Sequence, residues 1–269
     1  MASDSGIASV DAVALRGGAE SARSDSLVVE EPLEIRLDGA PLAVTMRTPG
    51  HDLELTAGFL VTEGIARDFG AVTSIAHCDA ERNTVDVRTE PGAAGIARPE
   101  PRAFVASSAC GLCGKATIES VRARAPALHQ DATRVAARVL YTLPEKLRAA
   151  QPVFRATGAL HAAGLFAADG SLLCAREDVG RHNAVDKVVG WAALDRKLPL
   201  AGTVLLVSGR IGFEIAQKAL VAGIPIVAAI SGPSSLAVEL AREGGMTLAA
   251  FLRGESLSVY AGRERIELP

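Results

Sequence analysis

The chain has 269 residues, of which 49% are hydrophobic, 22% charged and only 4% aromatic, and its formal net charge is -3. This balance excludes a disordered or collagen-like chain and an overall basic nucleic-acid footprint. The shortage of aromatics excludes a base-stacking platform of the RNA-recognition type. Four cysteines are too few for a disulfide scaffold. The longest apolar run, Ala219 to Ile230, is broken by Gly223 and Pro225, and a membrane span needs about 20 residues. No positive cluster precedes an apolar core at the N-terminus, so no secretory signal is expected. The expected compartment is a reducing cytoplasm.

In chain order, residues 1–26 are rich in Ser, Ala, Gly and Asp without a sustained period, and a mobile tail is expected there. Leu33, Ile35 and Leu37, then Leu42, Val44 and Met46, alternate with polar residues around Asp38-Gly39, which predicts a β-hairpin. Leu53, Ala57, Leu60 and Val61 repeat at helical spacing behind Asp52 as an N-cap, and Gly64 ends that helix. Strands are expected at 71–77 and 84–89, a loop over 91–101, a short strand at 103–106 and a helix from about Lys115 to Arg124. Pro126 and the polar stretch to Thr133 mark a boundary. The expected organisation is a disordered tail (1–26), a smaller α+β domain ending with the cysteine loop (27–130) and an α/β domain (131–269).

In the second half, strands at 160–167 and 172–177 flank the turn Asp169-Gly170. A helix at 182–195, a strand at 203–207, a helix at 210–222, a strand at 224–230, a helix at 234–243 and a strand at 247–251 follow. Alternation at this spacing predicts a mainly parallel sheet covered on both faces.

The sharpest chemical feature is Cys110-Gly111-Leu112-Cys113-Gly114. Thiolate is the reactive form of cysteine, and a helix N-terminus or a neighbouring ammonium, here Lys115, favours it. The spacing admits half a zinc site, a dithiol–disulfide centre, a persulfide carrier, or two cysteines without a role. No second CxxC or HxxxH completes a zinc site. Cys78 and Cys174 are expected to be small buried hydrophobes.

A second concentration of functional groups runs from Arg176 to Lys187, at a strand end that opens a helix. Such ends line the ligand crevice of open α/β sheets. Asp178 or Asn183 can cap the helix, Arg181, His182 and Lys187 can meet an anion at its N-terminus, and Asp186 can pair with them. Ser208-Gly209-Arg210 and Ser231-Gly232-Pro233-Ser234-Ser235 repeat the pattern, and together the three turns suggest a crevice for a phosphorylated ligand. His161 reads as a satisfied, partly buried histidine. Hydrolytic zinc deamination is excluded, because His182-Asn183-Ala184 has alanine where the general acid/base Glu belongs and the CxxC lies before His182 rather than after it.

The strings TPGHDLELTAGFLVTEGI, SSACGLCGKA, TGALHAAGLF, REDVGRHNAVDKVVG, SGRIGFEIAQKALVAGIPI and SLAVELA…MTLAAFLRGESLSVY resemble, in order from Val29 to Tyr260, the formate dehydrogenase accessory sulfurtransferase (FdhD) family. The resemblance implies a cytidine-deaminase-like C-terminal domain with no zinc centre. It implies a cytoplasmic sulfur carrier, a sulfurtransferase in cofactor maturation. Sulfane sulfur would come from a cysteine desulfurase and pass to the molybdenum (or tungsten) of a bis(molybdopterin guanine dinucleotide) cofactor, the cargo later installed in formate dehydrogenase. By position, Cys110 would carry the persulfide and Cys113 would assist. Phe251, Leu252, Arg253, Gly254, Glu255 and Ser256 would meet the guanine dinucleotide, with Arg181, His182, Asn183, Lys187, Ser208, Gly209 and Arg210 as further contacts. The two ends of such a cofactor suit a homodimer. A non-catalytic cofactor-binding chaperone and a dithiol oxidoreductase are the alternatives.

Overall fold

A computed structural model describes residues 6–78, 82–97 and 128–268 and the backbone of 104–106. The pair Cys110 and Cys113, and the helix expected from Lys115 to Arg124, lie outside the described residues.

The first elements correct the expected tail. Strands β1 (Ile7–Arg16) and β2 (Ala19–Val28) pair antiparallel along their full length. Gly17 and Gly18 form the two-residue turn, both at positive φ (57° and 84°), as a hairpin of this kind requires. The hairpin is mostly solvent-exposed, so its strands carry no apolar stripe from which a sequence period could be read.

The next sheet has the order β5-β6-β3-β4-β7, from β3 (Glu31–Leu37), β4 (Ala40–Arg47), β5 (Val72–His77), β6 (Thr84–Thr89) and β7 (Phe104–Ala106). The β3–β4 hairpin turns at Asp38-Gly39 as expected, but its pairing carries a bulge. Ile35 faces Ala43 and Arg36 faces Pro41, so Leu42 is the extra residue. Beyond a bulge the inward parity flips. Ala43, Thr45 and Arg47 therefore point inward, and Val44, expected inside, is exposed.

Helix α1 (Asp52–Thr62) lies between this sheet and the second half of the chain. Leu55 and Leu60 pack on Leu33, Ile35, Val85 and Val87. Its other side meets α4 (Arg181–Leu194) backbone to backbone: a Cβ on Gly58 would stand 1.8 Å from Asp186 O, and one on Gly190 1.7 Å from Glu54 O.

The larger sheet has the order β10-β9-β11-β12-β13-β14. Its strands are β9 (His161–Ala167), β10 (Leu172–Asp178), β11 (Thr203–Val207), β12 (Ile226–Ala229), β13 (Thr247–Arg253) and β14 (Ser256–Ala261). Only β11–β12 and β12–β13 are parallel, so the sheet is parallel at its centre and antiparallel toward both edges, less parallel than the alternation predicts. Central strands such as TVLLV and IVAA are buried on both faces, hence uniformly apolar. Helices α4, α5 (Phe213–Val221) and α6 (Ser235–Glu243) cover one face, and α2 (Ala137–Ala149) covers the other through Leu140, Leu143 and Leu147. The short helix α3 (Pro152–Thr157) follows α2, and β8 (Val135–Ala136) pairs parallel with β15 (Ile266–Glu267). Among the described residues no helix is long and apolar enough to cross a membrane.

Candidate functional site

The carboxyl ends of β10, β11 and β12 and the start of β9 bring the three sequence-predicted turns to one edge of the sheet. The Ser208 hydroxyl accepts a hydrogen bond from Ala162 N (2.9 Å), which ties the turn after β11 to β9. Gly209 lies against the His161 ring: a Cβ there would be 3.2 Å from Nδ1 and 3.8 Å from the Arg181 Cβ. Ile211 N donates to Gly232 O (3.2 Å) and Ser234 N to Ile211 O (2.9 Å), which locks the turns after β11 and β12 together. Phe251 N donates to Ser231 O (3.1 Å) and brings in the end of β13.

At that end Phe251 has φ +54° and is 43% exposed, an outlier for a bulky residue. Its ring covers Gly232, where a Cβ would stand 2.6 Å from the ring edge, so a side chain there would push the ring aside. Leu252 is buried in the core. Arg253 pairs with Ser256 across the two-residue turn Gly254-Glu255, and all four of these residues are exposed.

The open helix ends supply the electrostatics. Gly180 begins α4 and Gly212 begins α5, and neither end has a side-chain cap. By contrast Ser234 caps α6 through Ala237 N. Arg181, Arg210 and Arg253 stand on this edge with no carboxylate partner among the described residues. His161 is held below its ordinary pKa by burial and by the Arg181 guanidinium, against the opposing pull of Asp178. The buried His182 ring lies 3.8 Å from a Glu214 carboxylate oxygen. Glu214 has no counterpart in the sequence reading.

Two predicted ligand residues are used otherwise. Lys187 is not available to an anion. Its Nζ pairs with Asp178 at 2.8 Å and donates to Thr48 O at 2.9 Å, with the side chain 1% exposed. The Asn183 amide donates to Met46 O (2.8 Å) and to Asp178 Oδ1 (2.9 Å). Asp178 also accepts from Gly180 N (2.8 Å) and Thr48 N (3.2 Å). These residues fasten α4 to the end of β4 rather than face the crevice.

Sequence reasoning passed over the rest of this seam. Buried Arg47 grips Asp52 with two hydrogen bonds (3.0 and 3.1 Å), so Asp52 is the first helical residue of α1 and His51 takes the N-cap position. Lys218 Nζ meets both oxygens of Asp186 (2.8 and 2.9 Å), Thr62 Oγ1 (2.9 Å) and Glu63 (3.2 Å). Burial opposes charge on Lys218, but the Asp186 and Glu63 carboxylates outweigh it and raise its pKa. Asp186 thus pairs with Lys218, not with Arg181 or Lys187.

Arg176 on β10 binds Glu54 of α1 through both carboxylate oxygens (2.5 and 2.7 Å). Burial pushes the Glu54 carboxyl up, but Arg176 and then His51 overcome it and bring its pKa from 4.5 to about 2. A carboxyl with a depressed folded-state pKa stabilises the fold above its unfolded value and loses that contribution as pH falls through the folded one. Stability should therefore decline between about pH 4.5 and 2, and the Glu54→Gln variant, less stable at neutral pH, should show a shallower decline there. Urea midpoints across that range measure it, and parallel profiles for the two proteins would refute it.

Of the other cysteines, Cys174 is buried and its thiol is pushed up to about 12 by burial, consistent with an inert hydrophobe. Cys78 is exposed rather than buried, with Sγ 3.6 Å from Thr84 O. No cluster of three His, Cys, Asp or Glu side chains suited to a metal occurs among the described residues.

The chain is similar over nearly its whole length to several named proteins. It is 53% identical over 265 residues to a sulfur carrier protein FdhD of Streptomyces coelicolor, covering 95% of this chain and 94% of that one. It is 49% identical over 255 residues to a sulfur carrier protein FdhD of Mycobacterium tuberculosis, covering 91% and 92%. A solved structure from Desulfotalea psychrophila, described as a formate dehydrogenase accessory protein, superposes with a TM-score of 0.79 at 25% identity, covering 97% of this chain and 99% of the other. With the FdhD/NarQ family profile matching residues 28–267, the chain belongs to the FdhD/NarQ family.

Proposed function

We propose that this chain is a cytoplasmic sulfur carrier, with Cys110 accepting sulfane sulfur from a cysteine desulfurase and passing it to the metal of a bis(molybdopterin guanine dinucleotide) cofactor bound for formate dehydrogenase. The observation that carries this reading is where the cysteine segment leaves the described fold. Strand β7 ends at Ala106, which pairs with Thr45, and Thr45 Oγ1 is 3.4 Å from Asn183 in the first turn of α4. Cys110 follows four positions later, a reach of at most about 14 Å. Cys110 is thus within reach of the edge where uncapped helix ends, and arginines without a carboxylate partner among the described residues, suit the phosphates of a dinucleotide. The names of the relatives support the sulfur chemistry. The β9–β14 sheet with helices on both faces supports reading the second half as a cytidine-deaminase-like domain.

In the first step the Cys110 thiolate attacks the terminal sulfur of the donor persulfide. A Cys110 S–S bond forms, the donor S–S bond breaks, and the donor cysteine leaves as a thiolate. In the second, Cys113 attacks Cys110 Sγ, releases the outer sulfur as sulfide to the metal of the cargo, and leaves a Cys110–Cys113 disulfide that a cellular thiol reduces. Arg181, Arg210 and Arg253 bind cargo phosphates, the α4 and α5 amides orient them, and a second copy of the chain takes the other guanine end.

Incubation with a cysteine desulfurase and cysteine, followed by intact mass measurement, tests the reading. The wild-type chain should gain one or more sulfur atoms and Cys110→Ala none, with formate dehydrogenase activation falling to background in the variant. Guanine dinucleotide binding and activation that both survive Cys110→Ala and Cys113→Ala would instead make the chain a cofactor chaperone. Disulfide turnover without sulfur uptake would make it an oxidoreductase.

A further inference from the structure

We propose a second ligand site at the opposite end of the larger sheet, one that takes an amphipathic anion, a carboxylate or phosphate on an apolar body. A cavity of about 970 Å³ opens there between the end of α1, the loop after it, the end of α4 and α5. Its size lies at the upper end of the range for small-molecule sites. Val61, Ala193, Leu198 and Val221 give it apolar walls, and Arg67 and Arg196 stand on its lining.

Glu63 and Asp68 offset Arg67 and Arg196 in formal charge, but both carboxylates are already engaged. The Glu63 carboxylate is taken by Lys218 at 3.2 Å, and the Asp68 carboxylate accepts the Gly70 amide at 2.8 Å. Neither Arg67 nor Arg196 has a carboxylate partner among the described residues. Two guanidinium groups beside an apolar wall leave a preference for a ligand that carries its negative charge at one end.

A separate observation points to the same place. Helix α4 ends in a glycine-type stop: Arg196 N donates to Ala193 O (3.0 Å) and Lys197 N to Ala192 O (2.8 Å). The residue between these bonds must adopt a left-handed backbone, and glycine is its usual occupant. This chain places Arg196 there, at φ +54°. A strained backbone persists where the side chain it presents is of use, and the side chain it presents here lines the cavity.

The position allows ligand binding and folding to be separated. In Arg196→Gly the guanidinium is lost and the backbone strain relieved together. Calorimetric titration of the full chain with octanoate, octyl phosphate and octanol is the test. At least one of the two anions should bind saturably at one site per chain, and comparison of the two shows whether the head group preferred is a carboxylate or a phosphate. Octanol should bind at least about tenfold more weakly, and Arg67→Ala and Arg196→Gly should each weaken anion binding about tenfold. Arg196→Gly should meanwhile raise the thermal midpoint, by about 2 °C for a chain of this length. Absence of saturable anion binding, octanol binding as tight as the anions, or undiminished anion affinity in both arginine variants would overturn the proposal. So would a fall in midpoint for Arg196→Gly, which would mean that the arginine is there for the fold.

Discussion

Replacing Gly190 by alanine is expected to lower stability by at least about 3 kcal/mol, roughly 10 °C in Tm for a chain of this length. In an open helix the same change would stabilise by nearly 1 kcal/mol, because alanine is the better helix former. The sign is therefore the test. The added methyl would stand 1.7 Å from Glu54 O and 2.7 Å from Gly58 N, and both are backbone atoms that cannot rotate away. Gly58 meets Asp186 O in the same way from the other helix. To admit a side chain, α1 and α4 must separate, and separation pulls apart the Glu54–Arg176 pair and the Thr62–Asp186 hydrogen bond. Thermal unfolding followed by circular dichroism measures the change. A midpoint equal to or above that of the wild type would show that the helices are not in backbone contact.

The second large effect is expected at Asp178. Asp178→Ala leaves the Lys187 ammonium buried beside carbonyl oxygens alone and should cost about 3–5 kcal/mol. It also strands Gly180 N, Thr48 N and the Asn183 amide, which the carboxylate now satisfies. The double variant Asp178→Ala/Lys187→Met should recover a large part of the loss, since an apolar replacement of the whole pair leaves no buried charge. Urea unfolding of the two single variants and the double one measures the coupling. Additive losses would show that the two charges do not act as a pair. The start of α4 should shift in Asp178→Ala, so Arg181 and His182 should lose their placement even where the protein remains folded.

Much of the fold was legible because local chemistry and the final structure agree. Asp38-Gly39 and Asp169-Gly170 turn hairpins where they stand, and the strand–helix alternation after Thr203 follows the apolar pattern. The three strand-end turns also meet as their sequences suggest. What escaped was set by distant partners. Lys187 and Asn183 read as ligand groups because Asp178 alone does not satisfy them, and their remaining acceptors, Thr48 O and Met46 O, lie more than 130 residues earlier. Arg47 was hidden by the bulge at Leu42, which turns it inward against the parity of the preceding residues. The β1–β2 hairpin had its Gly17-Gly18 turn in plain view, but exposed strands lack the alternation that marks a buried face. Arg196 carries no sequence signal, because a left-handed arginine is recognisable only from its backbone.

The joint between α1 and α4 has a consequence for the covalent chain. The two halves are held by backbone contact and by the Glu54–Arg176 and Glu63–Lys218 ion pairs, so they should stay together without a covalent link between them. A chain cut within residues 107–127 should remain a single particle, with both pieces eluting together.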